Sequence, residues 1–173
     1  MSGNVIKMAN VIPLAGIGSR FEQAGYKLPK PLIPVSGLPM IIKVIRGMPK
    51  SDKWIFIVRQ EHIDHYKIDE LIKKEVSGAI IIPVSEVTSG QASTCMLAKP
   101  YLKKEEEILI AACDNSYIYD EEKYRRLKKD ESIDSIVWTF TRHDTLRENP
   151  NARGWCILEK DTITIRDMAV KIP

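Results

Sequence analysis

Apolar residues in this chain fall in short unbroken runs, separated by polar stretches of longer period. Val11-Ile12-Pro13-Leu14, Trp54-Ile55-Phe56-Ile57-Val58, Ala79-Ile80-Ile81-Ile82-Pro83-Val84 and Ile108-Leu109-Ile110-Ala111-Ala112 are each of strand length. Continuous rather than alternating runs indicate strands covered on both faces, as in parallel sheets. They predict buried strands over Asn10–Leu14, Trp54–Val58, Ala79–Val84 and Ile108–Ala112, with a fifth strand over Ser135–Thr141. Pro39 suits the first turn of a helix and opens Met40–Arg46, which Gly47 and Pro49 close. Ile63, Tyr66, Ile68, Leu71 and Ile72 predict one helix, ended by Gly78. Thr88-Ser89-Gly90 offers cap residues for a helix over Gln91–Leu102, with Ala92, Cys95, Met96 and Ala98 inward. Glu121–Lys129 reads as a charged surface helix, and Trp155–Leu158 with Thr162–Arg166 as a hairpin around Lys160-Asp161. Strands alternating with helices specify an α/β fold with a mainly parallel sheet.

The segment Ala15–Gly37 has no such period. A structureless loop of that length in a compact domain is usually functional or disordered, and its glycines, prolines and basic residues favour function. Composition narrows the field. The chain has 173 residues, 44% hydrophobic and 28% charged, enough for one domain with a real core. Net charge is +3 with both signs interspersed, which argues against a nucleic-acid groove. No apolar run approaches the roughly 20 residues that span a bilayer, and no secretory signal is visible. Cys95, Cys113 and Cys156 are widely spaced and odd in number, as in a reduced cytoplasmic protein.

Candidate chemistry concentrates in the loop. Leu14-Ala15-Gly16-Ile17-Gly18-Ser19-Arg20 follows the first strand, and Pro29-Lys30-Pro31 comes ten residues later. Glycines let a backbone approach a ligand closely, and consecutive N–H groups in such a turn form a concave anion site. A guanidinium adds bidentate phosphate recognition, and an ammonium adds a point charge. Prolines on both sides restrict the lysine's backbone. These parts point to the binding and reorganisation of a polyphosphate. Phe21 stands where the dinucleotide fingerprint needs a third glycine, and no Gly-Lys-Ser/Thr occurs at Walker spacing. No helix of the usual kind is predicted here, because two prolines interrupt the region. Asp114 follows the fourth strand, so it and the glycine loop fall on one sheet edge, where ligands of parallel sheets bind. A carboxylate there suits a hard, oxygen-preferring cation; an Asx-turn or helix cap would use the same residue. Asn115 reads as a turn former.

Leu14-Ala15-Gly16-Ile17-Gly18-Ser19-Arg20-Phe21, Leu28-Pro29-Lys30-Pro31-Leu32-Ile33-Pro34-Val35 and Gly37-Leu38-Pro39-Met40-Ile41 together resemble the signature of the sugar-phosphate nucleotidylyltransferases. That pattern is a Gly-x-Gly-Ser/Thr-Arg loop, then Pro-Lys-Pro, then Gly-x-Pro-Met/Leu-Ile. The resemblance is close over the first forty-odd residues and thinner through Thr88–Leu102 and Ile108–Asn115. It implies a Rossmann-like three-layer sandwich of the glycosyltransferase-A kind. It also implies nucleotidyl transfer: a sugar 1-phosphate, or a related phosphate such as phosphocholine, attacks the α-phosphorus of a nucleoside triphosphate and pyrophosphate leaves. By resemblance, Leu14, Ala15, Gly16, Gly18 and Ser19 hold the triphosphate, Arg20 its β- and γ-phosphates, and Lys30 the α-phosphate and the incoming phosphate. Asp114 matches the aspartate that ligates Mg²⁺, and Gly90 the glycine that lies against the base. Precursor synthesis for bacterial surface polysaccharides is the setting this implies.

The sequence also departs from the family pattern. No glutamine stands between Ala79 and Gly90, where better-defined branches read the base; Gln91 follows the glycine instead, reading a base edge or simply opening the helix. Ala169-Val170-Lys171-Ile172-Pro173 resembles the family's Glu-Lys-x-Pro segment, with Val170 in place of glutamate. Lys171 is then either the sugar-phosphate lysine or a strand-edge residue. Members of the family continue for dozens of residues with a second metal-binding aspartate. The expectation is therefore a nucleotidyltransferase domain over 1–173, as the N-terminal portion of the family domain. Partners would be a nucleoside triphosphate and a sugar phosphate, with no nucleic acid or membrane and with room for a homo-oligomer. A rival from another class is a nucleotide- or nucleotide-sugar-binding module without turnover. A dinucleotide-dependent oxidoreductase is disfavoured by Phe21 and the Pro-Lys-Pro clamp. His62 and His65 read as a solvated helix face, Cys113 as core, the three tryptophans as packing, and Lys103–Glu107 as a solvated turn.

Overall fold

The computed structural model describes residues 8–140, 148, 151 and 154–170. The chain forms two compact units that divide between Ile118 and Tyr119. In the first, β1 (Met8–Leu14) leads into α1 (Ser19–Gln23) and a 3₁₀ turn at Lys30–Leu32. A two-residue ladder, β2 (Pro34–Val35) with β3 (Leu38–Pro39), then opens onto α2 (Met40–Gly47). There follow β4 (Lys53–Arg59), α3 (Gln60–Tyr66), α4 (Ile68–Glu75) and β5 (Ile80–Val84). The unit ends with α5 (Gln91–Met96), a 3₁₀ turn at Lys99–Tyr101 and β6 (Glu107–Ile110).

β1, β4, β5 and β6 form one sheet in the order β5-β4-β1-β6, with every neighbouring pair parallel. The chain steps outward from β1 to β4 to β5, then crosses back to lay β6 on the other side of β1. Strand order reverses beside β1. At such switch points the connections diverge to opposite faces and leave a crevice at the strands' carboxyl ends. Val11, Ile55 and Ile57 pack with Ala98 on one face, ringed by Ile80, Ile82, Val84 and Leu102. The two-residue period sends Asn10, Ile12, Phe56 and Val58 to the other face, where the Asn10 amide donates to the Pro49 carbonyl at 2.9 Å, just past α2. Ile41, Ile42, Val44 and Ile45 of α2 are all buried, each contributing about 1.5–3 kcal/mol relative to exposure. The result is a Rossmann-like α/β unit with a parallel sheet, as the run pattern predicts.

The second unit holds α6 (Glu121–Lys129) and an antiparallel hairpin of β7 (Gly154–Leu158) and β8 (Ile165–Val170). Asp120 caps α6 by accepting the Lys123 N–H at 2.9 Å. Trp138 packs edge-on against Tyr119, their ring centroids 5.2 Å apart.

Several boundaries differ from the sequence reading, each for a local reason. The loop after β1 does contain a helix, α1, because Gly18 takes a left-handed turn (φ 72°) that launches it and the prolines lie beyond its end. The helix expected around Ile63–Ile72 is two, split where Lys67 adopts φ 52°. The helix from Gln91 stops at Met96, and Pro100 sits in the 3₁₀ turn that follows. Thr94 is its buried residue and Ala98 is buried just beyond its end, while Ala92 and Met96 are exposed. Residues 135–140 form no strand among the described residues, and Thr141 lies outside them. Among the described residues β6 is an edge strand rather than a buried one, with Ile108 48% and Ile110 51% exposed. His62 is buried rather than solvated, and Glu106 is drawn out of solvent by an ion pair with Lys53 at 2.7 Å.

Candidate functional site

A cavity of about 450 Å³ opens at the carboxyl ends of the sheet's strands, wholly within the first unit. Ala15, Gly16, Gly18, Ser19 and Arg20 line one side of it, after β1. Thr88, Gly90, Gln91 and Thr94 line another, after β5. Cys113 and Asp114 close it from the end of β6. Three stretches far apart in sequence meet where strand order reverses.

The first side is built tightly. Gly18 needs its left-handed backbone to start α1, and its carbonyl accepts the Phe21 N–H at 2.9 Å. A Cβ on Gly18 would also come within 3.4 Å of Lys30 Cβ, so the turn and the lysine lie against each other. Lys30 starts its 3₁₀ turn between two prolines; Pro31 is buried, and the Leu32 N–H donates to the Pro29 carbonyl at 2.8 Å. From there the Lys30 ammonium reaches into the cavity and pairs with Asp114 Oδ2 at 2.5 Å, joining residues 84 apart in sequence. The same ammonium lies 5.3 Å from the centre of the Phe21 ring.

The second side is pinned by hydroxyls. Thr88 Oγ1 and Thr94 Oγ1 lie 2.5 Å apart, and each reaches the Gly90 carbonyl at 3.1 Å. With one proton on each hydroxyl, two of these three contacts can be hydrogen bonds at a time, and the Gly90 carbonyl accepts from one or both threonines. Gly90 itself is extended (φ 164°), a backbone any residue adopts. Neither Gly16 nor Gly90 is left-handed, and a Cβ on either would meet no protein atom within 4 Å. Neither backbone strain nor packing accounts for glycine at these two cavity positions.

Asp114 sits in a turn closed by the Asn115 N–H on the Ala112 carbonyl, at a long 3.5 Å. The chain then presses against α2. Ser116 Oγ donates to the Lys43 carbonyl at 3.2 Å, and a Cβ on Gly47 would collide with Ser116 Oγ and with the backbone of Tyr117. Burial pushes the Cys113 thiol up to about 11, against the lowering influence of Lys30. A neutral thiol is a poor nucleophile, so Cys113 lines the cavity as an uncharged wall.

Among the described residues, Asp114 is the only carboxylate that lines the cavity. Mg²⁺ is commonly held by one or two carboxylates together with substrate phosphates and water, so the donor set fits that ion once a polyphosphate is present. Of the residues singled out from sequence, the fold brings together Ala15, Gly16, Gly18, Ser19, Arg20, Lys30, Gly90, Gln91 and Asp114. The Leu14 side chain is buried at the end of β1 opposite Val58 and does not line the cavity. Lys171 lies outside the described residues. Phe21, Thr88 and Thr94 line the cavity and were not anticipated as site residues. Two threonines flanking a glycine that opens a helix were a readable signal for the hydroxyl clasp; nothing in the sequence marked Phe21.

No family model matches the chain. It is 24% identical over 168 residues to a mannose-1-phosphate guanyltransferase of Debaryomyces hansenii, and 23% identical over 168 residues to that of Candida albicans. Each alignment covers 96% of this chain and 45% of the relative, so the chain spans less than half the length of the curated relatives it matches. Among solved structures, it is similar to a nucleoside-diphosphate-sugar pyrophosphorylase from Vibrio cholerae, with TM-score 0.66 and 20% identity over 95% of this chain and 67% of that one. It is also similar to a UDP-glucose pyrophosphorylase complexed with UDP-glucose, with TM-score 0.63 and 15% identity over 95% and 69%. The likeness to solved structures is one of fold, and the curated relatives add a likeness of sequence. The resemblance to the sugar-phosphate nucleotidylyltransferases carried by the glycine loop and the Pro-Lys-Pro clamp is borne out.

Proposed function

We propose that this chain is a nucleotidyl-transfer domain, acting with Mg²⁺ on a nucleoside triphosphate and a sugar 1-phosphate and releasing pyrophosphate. The observation that carries this is the Lys30–Asp114 pair, which sets a cation and a carboxylate side by side in a cavity floored by a glycine loop. Two anions must be brought together, so catalysis rests on position and charge neutralisation. Gly16 and Gly18 give the triphosphate close access to backbone. Arg20 takes the β- and γ-phosphates and steadies the departing pyrophosphate. Lys30 leaves Asp114 for the α-phosphate and the incoming phosphate oxygen. Asp114, with the phosphates, holds the divalent cation, which neutralises charge on the phosphoryl oxygens when bound. Gly90 lies against the base and Gln91 faces its edge.

The curated relatives are guanyltransferases, while a structural neighbour binds a uridine nucleotide; the base is therefore part of the test. Calorimetry with GTP, UTP, CTP and dTTP, each with Mg²⁺, is expected to give binding for at least one. Pyrophosphate release with sugar 1-phosphates then reads turnover, and Lys30→Ala should cut it by about 100-fold or more with the fold intact. No binding of any triphosphate by folded protein would overturn the proposal. A second reading, a nucleotide-binding module without turnover, is favoured by the single carboxylate that the described residues bring to the cavity. It predicts binding with no pyrophosphate release.

A further inference from the structure

The proline clamp fixes the backbone of Lys30 but not its side chain. A lysine stem of four methylenes has many rotamers, and ordering it costs up to about 2 kcal/mol. Two groups hold the ammonium in the cavity: the Asp114 carboxylate and the ring of Phe21, 5.3 Å away at its centre. They are not equivalent. A carboxylate competes with phosphate for the ammonium, and it is also the group assigned to the divalent cation. A ring face attracts a cation through its quadrupole and leaves the ammonium's N–H groups free to donate.

The ring is itself held in place. The Phe21 N–H donates to the Gly18 carbonyl at 2.9 Å, and the Phe21 carbonyl accepts the Tyr26 N–H at 3.1 Å. The Tyr26 ring packs against Phe21 edge-on, centroids 5.8 Å apart and planes at 65°. Phe21 also lines the cavity instead of lying in the sheet's core. Its place in the fold is beside the lysine, not beneath the strands.

We propose that Phe21 is a positioning residue for Lys30, its ring face keeping the ammonium aimed into the cavity when Asp114 releases it. This rests on the phosphate-binding role given to Lys30 above. Leucine or methionine fills a similar volume without a quadrupole, so the aromatic character is what matters.

The test is calorimetric titration of the full chain with inorganic tripolyphosphate and Mg²⁺, a probe that carries no base. Phe21→Leu is expected to weaken binding about three- to tenfold, and Phe21→Tyr, which restores a ring face, to recover it. In a Lys30→Ala background Phe21→Leu should cause no further loss. Melting curves check that each variant folds, and Phe21→Met replaces the leucine variant should that one fail. Equal binding by Phe21→Leu and the parent overturns the proposal, as does a loss that persists without Lys30. If Lys30→Ala alone binds as the parent does, it is the assignment of Lys30 that falls, a result separate from any at Phe21.

Discussion

Gly16 and Gly18 are two residues apart and are glycine for different reasons. Gly18 sits at φ 72°, where any side chain strains the backbone; its identity is fixed by the turn. Gly16 has neither positive φ nor a crowded Cβ, and the same holds for Gly90 across the cavity. A methyl at either position costs the free protein little, and its effect should appear with ligand. Gly16→Ala and Gly90→Ala are therefore expected to leave the melting temperature unchanged while weakening triphosphate binding, read by paired melting and calorimetry. Gly90→Ala should weaken nucleoside triphosphate more than inorganic tripolyphosphate, since it faces the base in the proposed site. At this scale the chemistry was legible where residue type alone announces it: glycines, an arginine and a clamped lysine. Phe21 was not legible, because an aromatic beside a cation is a fact of three-dimensional approach, and the sequence places it nine residues from Lys30.

Strands were read well because an unbroken apolar run has one use in a sheet covered on both faces. Helices were read less well where a single residue breaks a continuing period. Ile63, Tyr66, Ile68, Leu71 and Ile72 keep helical spacing straight through Lys67, whose left-handed backbone ends one helix and starts another. In the first of the two helices His62 is buried, at 5% exposure, with Nδ1 lacking a hydrogen-bond partner among the described residues. Burial holds the imidazole below its usual range; the neighbouring Glu61 opposes this and Arg59 adds to it. The native state thus favours neutral His62. The stability it contributes is fully present above the unfolded value of about 6.5 and is lost as pH falls through the lower native value. Melting temperature should drop between pH 7 and pH 5, and His62→Gln should flatten that dependence. A parent and variant with parallel pH profiles would show that His62 does not carry it.

The cavity's lining runs from Pro13 to Asp114, all before the division at Ile118. A chain ended at Ile118 is therefore expected to bind tripolyphosphate and Mg²⁺ with the affinity of the full chain, measured by calorimetry. A large loss would place necessary groups beyond Ile118. No helix among the described residues is long and apolar enough to cross a membrane. What the sequence could not convey here was pairing. Residues 135–140 have a strand's composition but join no ladder among the described residues, and β6 has a buried strand's composition at the edge of the described sheet. Composition reports what a segment tolerates; neighbours decide what it becomes.

α2 touches the segments that carry both members of the central pair. At its first residue the Met40 N–H donates to the Ile33 carbonyl at 3.0 Å, tying it to the turn that presents Lys30. Toward its end the Lys43 carbonyl accepts Ser116 Oγ, and Gly47 makes room for the backbone that follows Asp114. Eight helical residues, about 12 Å of rigid rod, thus gauge the gap between ammonium and carboxylate. The helix works as a calliper. Its length is what sets the gap, because one inserted residue would advance the far jaw by about 1.5 Å and swing it by about 100°.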